Sequence, residues 1–199
     1  MISLDMKMDV RKLNKDLAGL RLDLRNRATV MALNKTAAKA KTEMVRAITS
    51  EFALPASDVR SKLRILKASR NGLKATLDPF ASGSRKGRSM NLIRFLEKKV
   101  SLAEGRRRSK AGTQNQLRFK VKKQGGFKTI KGAFIGNEGR TVFRRSGDGR
   151  FPIEAVSTIG VPSMFNTKRI NARVIARIRK EFPIEFERAS RQILRRFNK

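Results

Sequence analysis

Lysine and arginine outnumber aspartate and glutamate by 48 to 16, so this 199-residue chain must fold against its own repulsion at a formal net charge of +32. Repulsion on that scale opposes compaction unless polyanions or neighbouring subunits neutralise it. It does not impose disorder, because 39% of the residues are apolar, and a chain of this length can remove roughly 70% of its unfolded surface on folding. The length suits one domain. We expect a single domain over residues 1–199, read as a helical region at 1–54, a β-rich core with basic loops at 55–162 and a helical region at 163–199.

The excess is unevenly spread. Residues 1–83 carry 17 basic and 8 acidic groups, residues 84–150 carry 20 and 4, and residues 151–199 carry 11 and 4. Half of the net charge therefore sits in the middle third.

Absences narrow the chemistry. With no Cys, His, Tyr or Trp, the chain lacks a thiol nucleophile, a neutral-pH proton shuttle and the common zinc ligands. Disulfides are excluded, and the lack of thiols leaves the redox compartment open. The carboxylates are scattered: Glu185 and Glu187 are two apart and on a helix do not share a face. Gly83 to Ser89 lacks the Walker spacing, and Gly132, Gly136 and Gly139 do not form a dinucleotide fingerprint. These patterns predict no catalytic, cofactor-binding or metal-binding residue and no enzyme. Met1-Ile2-Ser3-Leu4-Asp5 has no cationic flank leading into an apolar run, and no segment has bilayer-spanning length. A soluble protein made in the cytoplasm is expected.

Apolar periodicity supplies the elements. Val10, Leu13, Leu17, Leu20 and Leu24, then Val30, Leu33, Ala37, Ala40, Met44 and Ile48, recur at spacings of three and four and predict long amphipathic helix. Gly19 and Arg25-Asn26-Arg27 are the places where it could divide, leaving a helical hairpin and a single bent rod both open. Pro55 ends the region, and Ser57 reads as the cap of a short turn. Leu63 to Ala68 and Leu73 to Leu77 flank Asn71-Gly72 as a hairpin. Residues 82–89 and 104–115 are basic, glycine- and serine-rich and read as mobile loops. Leu117, Phe119 and Val121 alternate with Arg118, Lys120 and Lys122, as a strand with a cationic outer face would. Phe119 reads as core. Gln124-Gly125-Gly126 turns the chain, Phe127 to Ile135 returns, and Thr141 to Arg144 and Ile153 to Val156 add two short strands.

After Pro162 and Ser163 comes a helix with an apolar stripe of Ile170, Val174 and Ile178 beside a cationic one of Arg169, Arg173 and Arg177. Pro183 clashes with the carbonyl of Arg179, predicting a kink or break near Phe182. Phe186, Ala189, Ile193 and Phe197 continue the inward face. The fold class is α+β: an antiparallel sheet core with a long N-terminal helix or hairpin, a C-terminal helix kinked near Pro183, and long basic loops. Leu33, Ala37, Met44, Ile170, Val174 and Ile178 are the candidate subunit contacts. Arg85, Lys86, Arg88, Arg106, Arg107, Arg108, Lys110, Lys120, Lys122 and Lys123 are the candidate phosphate contacts, giving sequence-independent, salt-sensitive attraction to nucleic acid.

The order of these elements resembles the minor tail protein Z, or tail-completion, family of tailed bacteriophages and prophages. The likeness lies in Val30-Met31-Ala32-Leu33-Asn34-Lys35-Thr36-Ala37, Leu117 to Val121, Gly132-Ala133-Phe134-Ile135 and Thr141 to Arg145. Ile153-Glu154, leading to Val161-Pro162-Ser163-Met164, completes it. The resemblance implies a non-enzymatic virion component at the head-proximal end of the tail, which completes the tail for head joining. It further implies a ring, with six copies matching tail symmetry, and tail tube, tail terminator or neck connector proteins as partners. Basic loops turned toward double-stranded DNA in the channel would then account for the charge. Two readings compete: a cellular nucleic-acid-binding protein of ribosomal or nucleoid type, and a purely protein-binding adaptor.

Overall fold

The computed structural model describes residues 22–79, 89–97, 117–147 and 149–197. In chain order its elements are α1 (Leu22–Glu51), α2 (Ala56–Ser61), β1 (Arg64–Leu66), β2 (Thr76–Asp78) and β3 (Ser89–Asn91). A 3₁₀ turn (Leu92–Phe95) follows, then β4 (Arg118–Phe119), β5 (Lys128–Thr129), β6 (Ala133–Gly136), β7 (Thr141–Arg145), β8 (Ile153–Ala155) and β9 (Ser157–Ile159). Two helices close the chain, α3 (Val161–Phe165) and α4 (Lys168–Phe197). The mixture of helix and antiparallel strand is the α+β class that the periodicities predict.

The chain packs as two compact units assembled from distant segments. One takes the described parts of Met1–Ala47, Ala56–Gly83 and Phe165–Lys199; the other takes Ile48–Pro55 and the described parts of Ser84–Met164.

In the first unit α1 is unbroken from Leu22, so of the two places where the helix could divide Arg25-Asn26-Arg27 is not one; Gly19 lies outside the described residues. These polar residues cost well under 1 kcal/mol each in a helix interior, too little to halt propagation. Ala28, Ala32, Leu33 and Ala37 of α1 meet Phe182, Phe186, Ala189 and Ile193 of α4, with Ala68 and Ala75 of the β1–β2 hairpin closing the cluster. Alanines on α1 let the phenyl rings of α4 approach closely. Phe182 and Phe186 stack at 6.0 Å.

That burial also explains Pro183. Of the kink or break expected near Phe182, the break is absent: α4 runs through Pro183 as one helix. Pro183 withholds a hydrogen bond from the Arg179 carbonyl and costs about 3 kcal/mol. Burying Phe182 and Phe186, each worth about 1.5–3 kcal/mol, holds both sides together.

Two polar devices join distant segments. The Asn34 side chain pairs with both backbone groups of Ala68, donating from Nδ2 to the carbonyl at 3.1 Å and accepting the amide at 2.8 Å. It thus acts as a missing strand for the hairpin. Lys39 of α1 donates to Glu181 at 2.6 Å and Glu185 at 2.5 Å, two carboxylates one turn apart on α4 and both buried. Arg177 and Arg188 also pair with Glu181 and Glu185, each at 2.9 Å. The hydrogen bonds to Lys39 hold both carboxyls below their ordinary value against the opposing effect of burial. The same bonds, first that to Glu181, hold Lys39 above its ordinary value. Arg173 to Glu43, at 2.6 Å, is a further α4–α1 tie.

The hairpin forms as expected, Ile65 opposite Leu77. Its turn is Ser69–Gly72, with mutual backbone hydrogen bonds of 2.9 and 3.2 Å, so Asn71-Gly72 sits one place later than the two central positions. Ser57 lies inside α2, which starts at Ala56 directly after Pro55.

The second unit corrects the expectation of one sheet. Among the described residues it has three small sheets, β3–β9, β4–β5 and β6–β7–β8, all antiparallel. The chain changes partner every few residues. The strand expected from Leu117 onward pairs with β5 only at Arg118 and Phe119, after which Lys122 bridges Phe52 and the Ala53 amide donates to the Val121 carbonyl. The return expected from Phe127 to Ile135 is cut at Gly132, whose φ of +73° is left-handed and turns the chain between β5 and β6. Ser89, expected in a loop, opens β3. Pro162 and Ser163 precede the helix that carries Ile170, Val174 and Ile178, α4, as expected, and themselves lie in a separate short helix, α3. Asn91 repeats the Asn34 device: its side chain accepts the Val142 amide at 2.9 Å and donates to the Val142 carbonyl at 3.2 Å. The buried Phe52, Leu92, Phe95, Phe119 and Val142 supply this unit's apolar interior.

Asn34→Leu is expected to lower the unfolding free energy by about 2 kcal/mol, since it strands two backbone groups of the buried Ala68. A urea titration with an unmoved midpoint contradicts this.

The carboxylates, lowered on folding, contribute stability that is full above their ordinary value of 4.5 and is lost as pH falls through their folded values. Lys39, raised on folding, contributes stability that is full below 10.5 and is lost as pH rises through its folded value. Thermal melts should therefore hold steady between these limits and decline outside them. Lys39→Met should melt lower at neutral pH and decline less steeply on the acid side; wild-type and variant curves that run parallel sink the assignment.

Candidate polyanion interface in the second unit

Residues 117–137 contain six Lys or Arg and no carboxylate. The backbone of the first part, Arg118–Lys123, is held from both sides. Phe119 is buried and bridges Leu96, the Glu97 amide donates to the Arg118 carbonyl at 3.0 Å, and the Lys120 amide donates to the Phe95 carbonyl at 2.9 Å. The Lys123 amide donates to the Glu51 carbonyl at 2.9 Å, tying the next step to the end of α1. Phe119 is thus the inward anchor that the alternation predicts, and its neighbours face outward.

Arg118 and Lys120 gather on Phe127, the guanidinium 4.7 Å and the ammonium 5.4 Å from the ring centroid. Each such contact contributes about 0.5–1 kcal/mol at an exposed site. The ring fixes two cations without neutralising either. Arg118 also reaches Glu97 at 3.4 Å across a half-exposed pair, a weak interaction in water. Lys122, Lys123, Lys128 and Lys131 are exposed, with no carboxylate partner among the described residues. The arrangement can hold a negatively charged backbone by several point charges. No group of three or more metal-ligating side chains occurs among the described residues.

Of the candidate phosphate contacts, Lys120, Lys122 and Lys123 lie here. Arg85, Lys86, Arg88, Arg106, Arg107, Arg108 and Lys110 lie outside the described residues. Lys128 and Lys131 were not among the candidates, although the same carboxylate-free run contains them. The candidate subunit contacts Leu33, Ala37, Met44, Ile170, Val174 and Ile178 are all buried, at 5% exposure or less. Their stripes pack inside the protomer, and no free surface is formed by them. The cationic stripe beside them is partly occupied too, since Arg173 and Arg177 bind Glu43 and Glu181.

A family model described as prophage minor tail protein Z matches residues 10–199, nearly the whole chain. No curated protein and no solved structure matches it.

Replacing Lys122, Lys123, Lys128 and Lys131 with Gln is expected to weaken binding to duplex DNA. The slope of log Kobs against log salt should become shallower by about 0.9 for each phosphate contact removed. Fluorescence anisotropy across a salt series reads both effects, and an unchanged slope contradicts a phosphate-contacting hairpin.

Proposed function

Because the chain belongs to the prophage minor tail protein Z family, and is therefore a structural protein of a phage tail, we propose that it completes the head-proximal end of that tail. In this reading it makes the tail competent to join the head. Membership replaces the alternative of a ribosomal or nucleoid component. Among the described residues no helix is long and apolar enough to cross a membrane.

The observation that carries the proposal is the carboxylate-free run of residues 117–137, braced along Arg118–Lys123, in which Arg118 alone reaches a carboxylate among the described residues. A protein at the head-proximal end meets DNA held between head and tail, and phosphates are the counter-charges such a surface lacks. Several copies set around the tail axis, six if they follow tail symmetry, would present these hairpins together. At +32 per copy, the ring closes only where DNA or acidic neighbours offset the repulsion. The tail tube, tail terminator and neck connector are the neighbours this position implies. No catalytic role is assigned.

Disrupting the gene is expected to yield full heads and full-length tails that fail to join. Electron microscopy of the lysate and in vitro complementation with the purified protein check this. Normal infectious particles from the mutant reject the assignment to tail completion.

A further inference from the structure

The three-stranded sheet has an apolar outer face whose central rings, Phe134 and Phe143, are only half-buried. Register sets Phe134 opposite Phe143, Ile135 opposite Val142, Phe143 opposite Ala155 and Arg145 opposite Ile153. Side chains alternate along each strand, so Ile135 and Val142 share one face while Phe134, Phe143, Ala155, Arg145 and Ile153 share the other. Val142 is fully buried, which marks its face as the inner one.

On the outer face Phe134 and Phe143 stack at 5.9 Å, and the Arg145 guanidinium lies 4.9 Å from the Phe134 centroid. Gly136 makes room for this, since a Cβ there would stand 3.0 Å from two carbons of the Phe143 ring. Ile153 is 39% exposed, and at the end of the β7–β8 connection Phe151 is 69% exposed, with Arg150 5.8 Å from its ring. A sheet face left to water is ordinarily polar. This one places two stacked rings, an isoleucine and a nearby free phenylalanine beside arginines.

We propose that this face docks a different protein of the tail, one presenting apolar side chains inside an acidic rim. Aromatic and arginine side chains together make the energetic centre of protein interfaces. Charge selects the occupant. The same face of a second copy would set Arg145 against Arg145, with no carboxylate on the face to pair with either. Duplex DNA presents phosphates outward and offers nothing to cover two phenyl rings. Apolar groups edged by Asp or Glu satisfy the rings and the guanidinium together. The proposal rests on family membership alone and is independent of the DNA-facing hairpin.

The test uses tail particles purified from a prophage deleted for this gene and the purified full-length protein, with binding read by co-sedimentation. Phe151→Ser with Ile153→Ser, and separately Arg145→Glu with Arg150→Glu, should each weaken binding to the particles at least tenfold. The serine variant should keep wild-type duplex-DNA affinity, melting temperature and sedimentation alone. Phe151→Ser by itself serves if the double variant fails to fold, because that side chain is the most exposed. Binding at wild-type strength, or a wild-type protein that ignores the particles, overturns the proposal. So does a fall in DNA affinity of the serine variant, which would make the face a nucleic-acid surface. A loss of self-association without tails would make it a contact between copies and equally overturn it.

Discussion

Like-charge repulsion is the constraint to which the rest of this structure answers, and the chain answers by where it places sixteen carboxylates among forty-eight cations. In the first unit several of the described ones sit at joints. Glu181 and Glu185 are buried against Lys39, the well-shielded Glu43 binds Arg173, and Asp78 binds Arg64 across the hairpin at 2.8 Å. In the second unit the ion-paired carboxylates Glu97 and Glu138 are exposed, and a stretch of six cations has none at all. Negative charge therefore closes the helical unit and leaves strand surfaces of the other cationic.

The described part of the N-terminal helix and the whole C-terminal helix were legible because burial leaves a period in the sequence. Leu33, Ala37, Met44, Ile170, Val174 and Ile178 were read correctly as apolar stripes, but their period says only that they are covered, not by what. They are covered by their own chain. Of the kink or break expected near Phe182, the break does not occur, because tertiary burial on both sides of Pro183 outweighs the local rule. The sheet was over-merged for a related reason: alternation marks which residues face inward but not where a strand changes partner, as happens between Phe119 and Lys122.

Nothing periodic announces the Asn34 and Asn91 amides, which pair with backbone 34 and 51 residues away, or Lys39, whose carboxylates lie 142 and 146 residues on. Such contacts are set by the fold and leave no local trace. At the candidate interface the cationic alternation around Phe119 was legible, and Lys128 and Lys131 could have been found by asking where carboxylates are missing. The remaining basic candidates fall outside the described residues. The apolar outer face of β6–β7–β8 was hidden because alternation does not say which face of a strand is inner until register sets Phe134 and Phe143 on the side away from the buried Val142.

A tail protein built this way offers its surroundings two chemistries in one unit: point charges on a braced hairpin, and stacked rings with guanidinium on a sheet. Their neighbours should differ accordingly. The most direct measurement is a reconstruction of the head–tail junction of a virion carrying this protein. The account predicts its density at the head-proximal end of the tail, with residues 117–131 within about 10 Å, a Debye length at 0.1 M salt, of the DNA. Density at the distal tip, or hairpins turned away from DNA toward solvent, would contradict it.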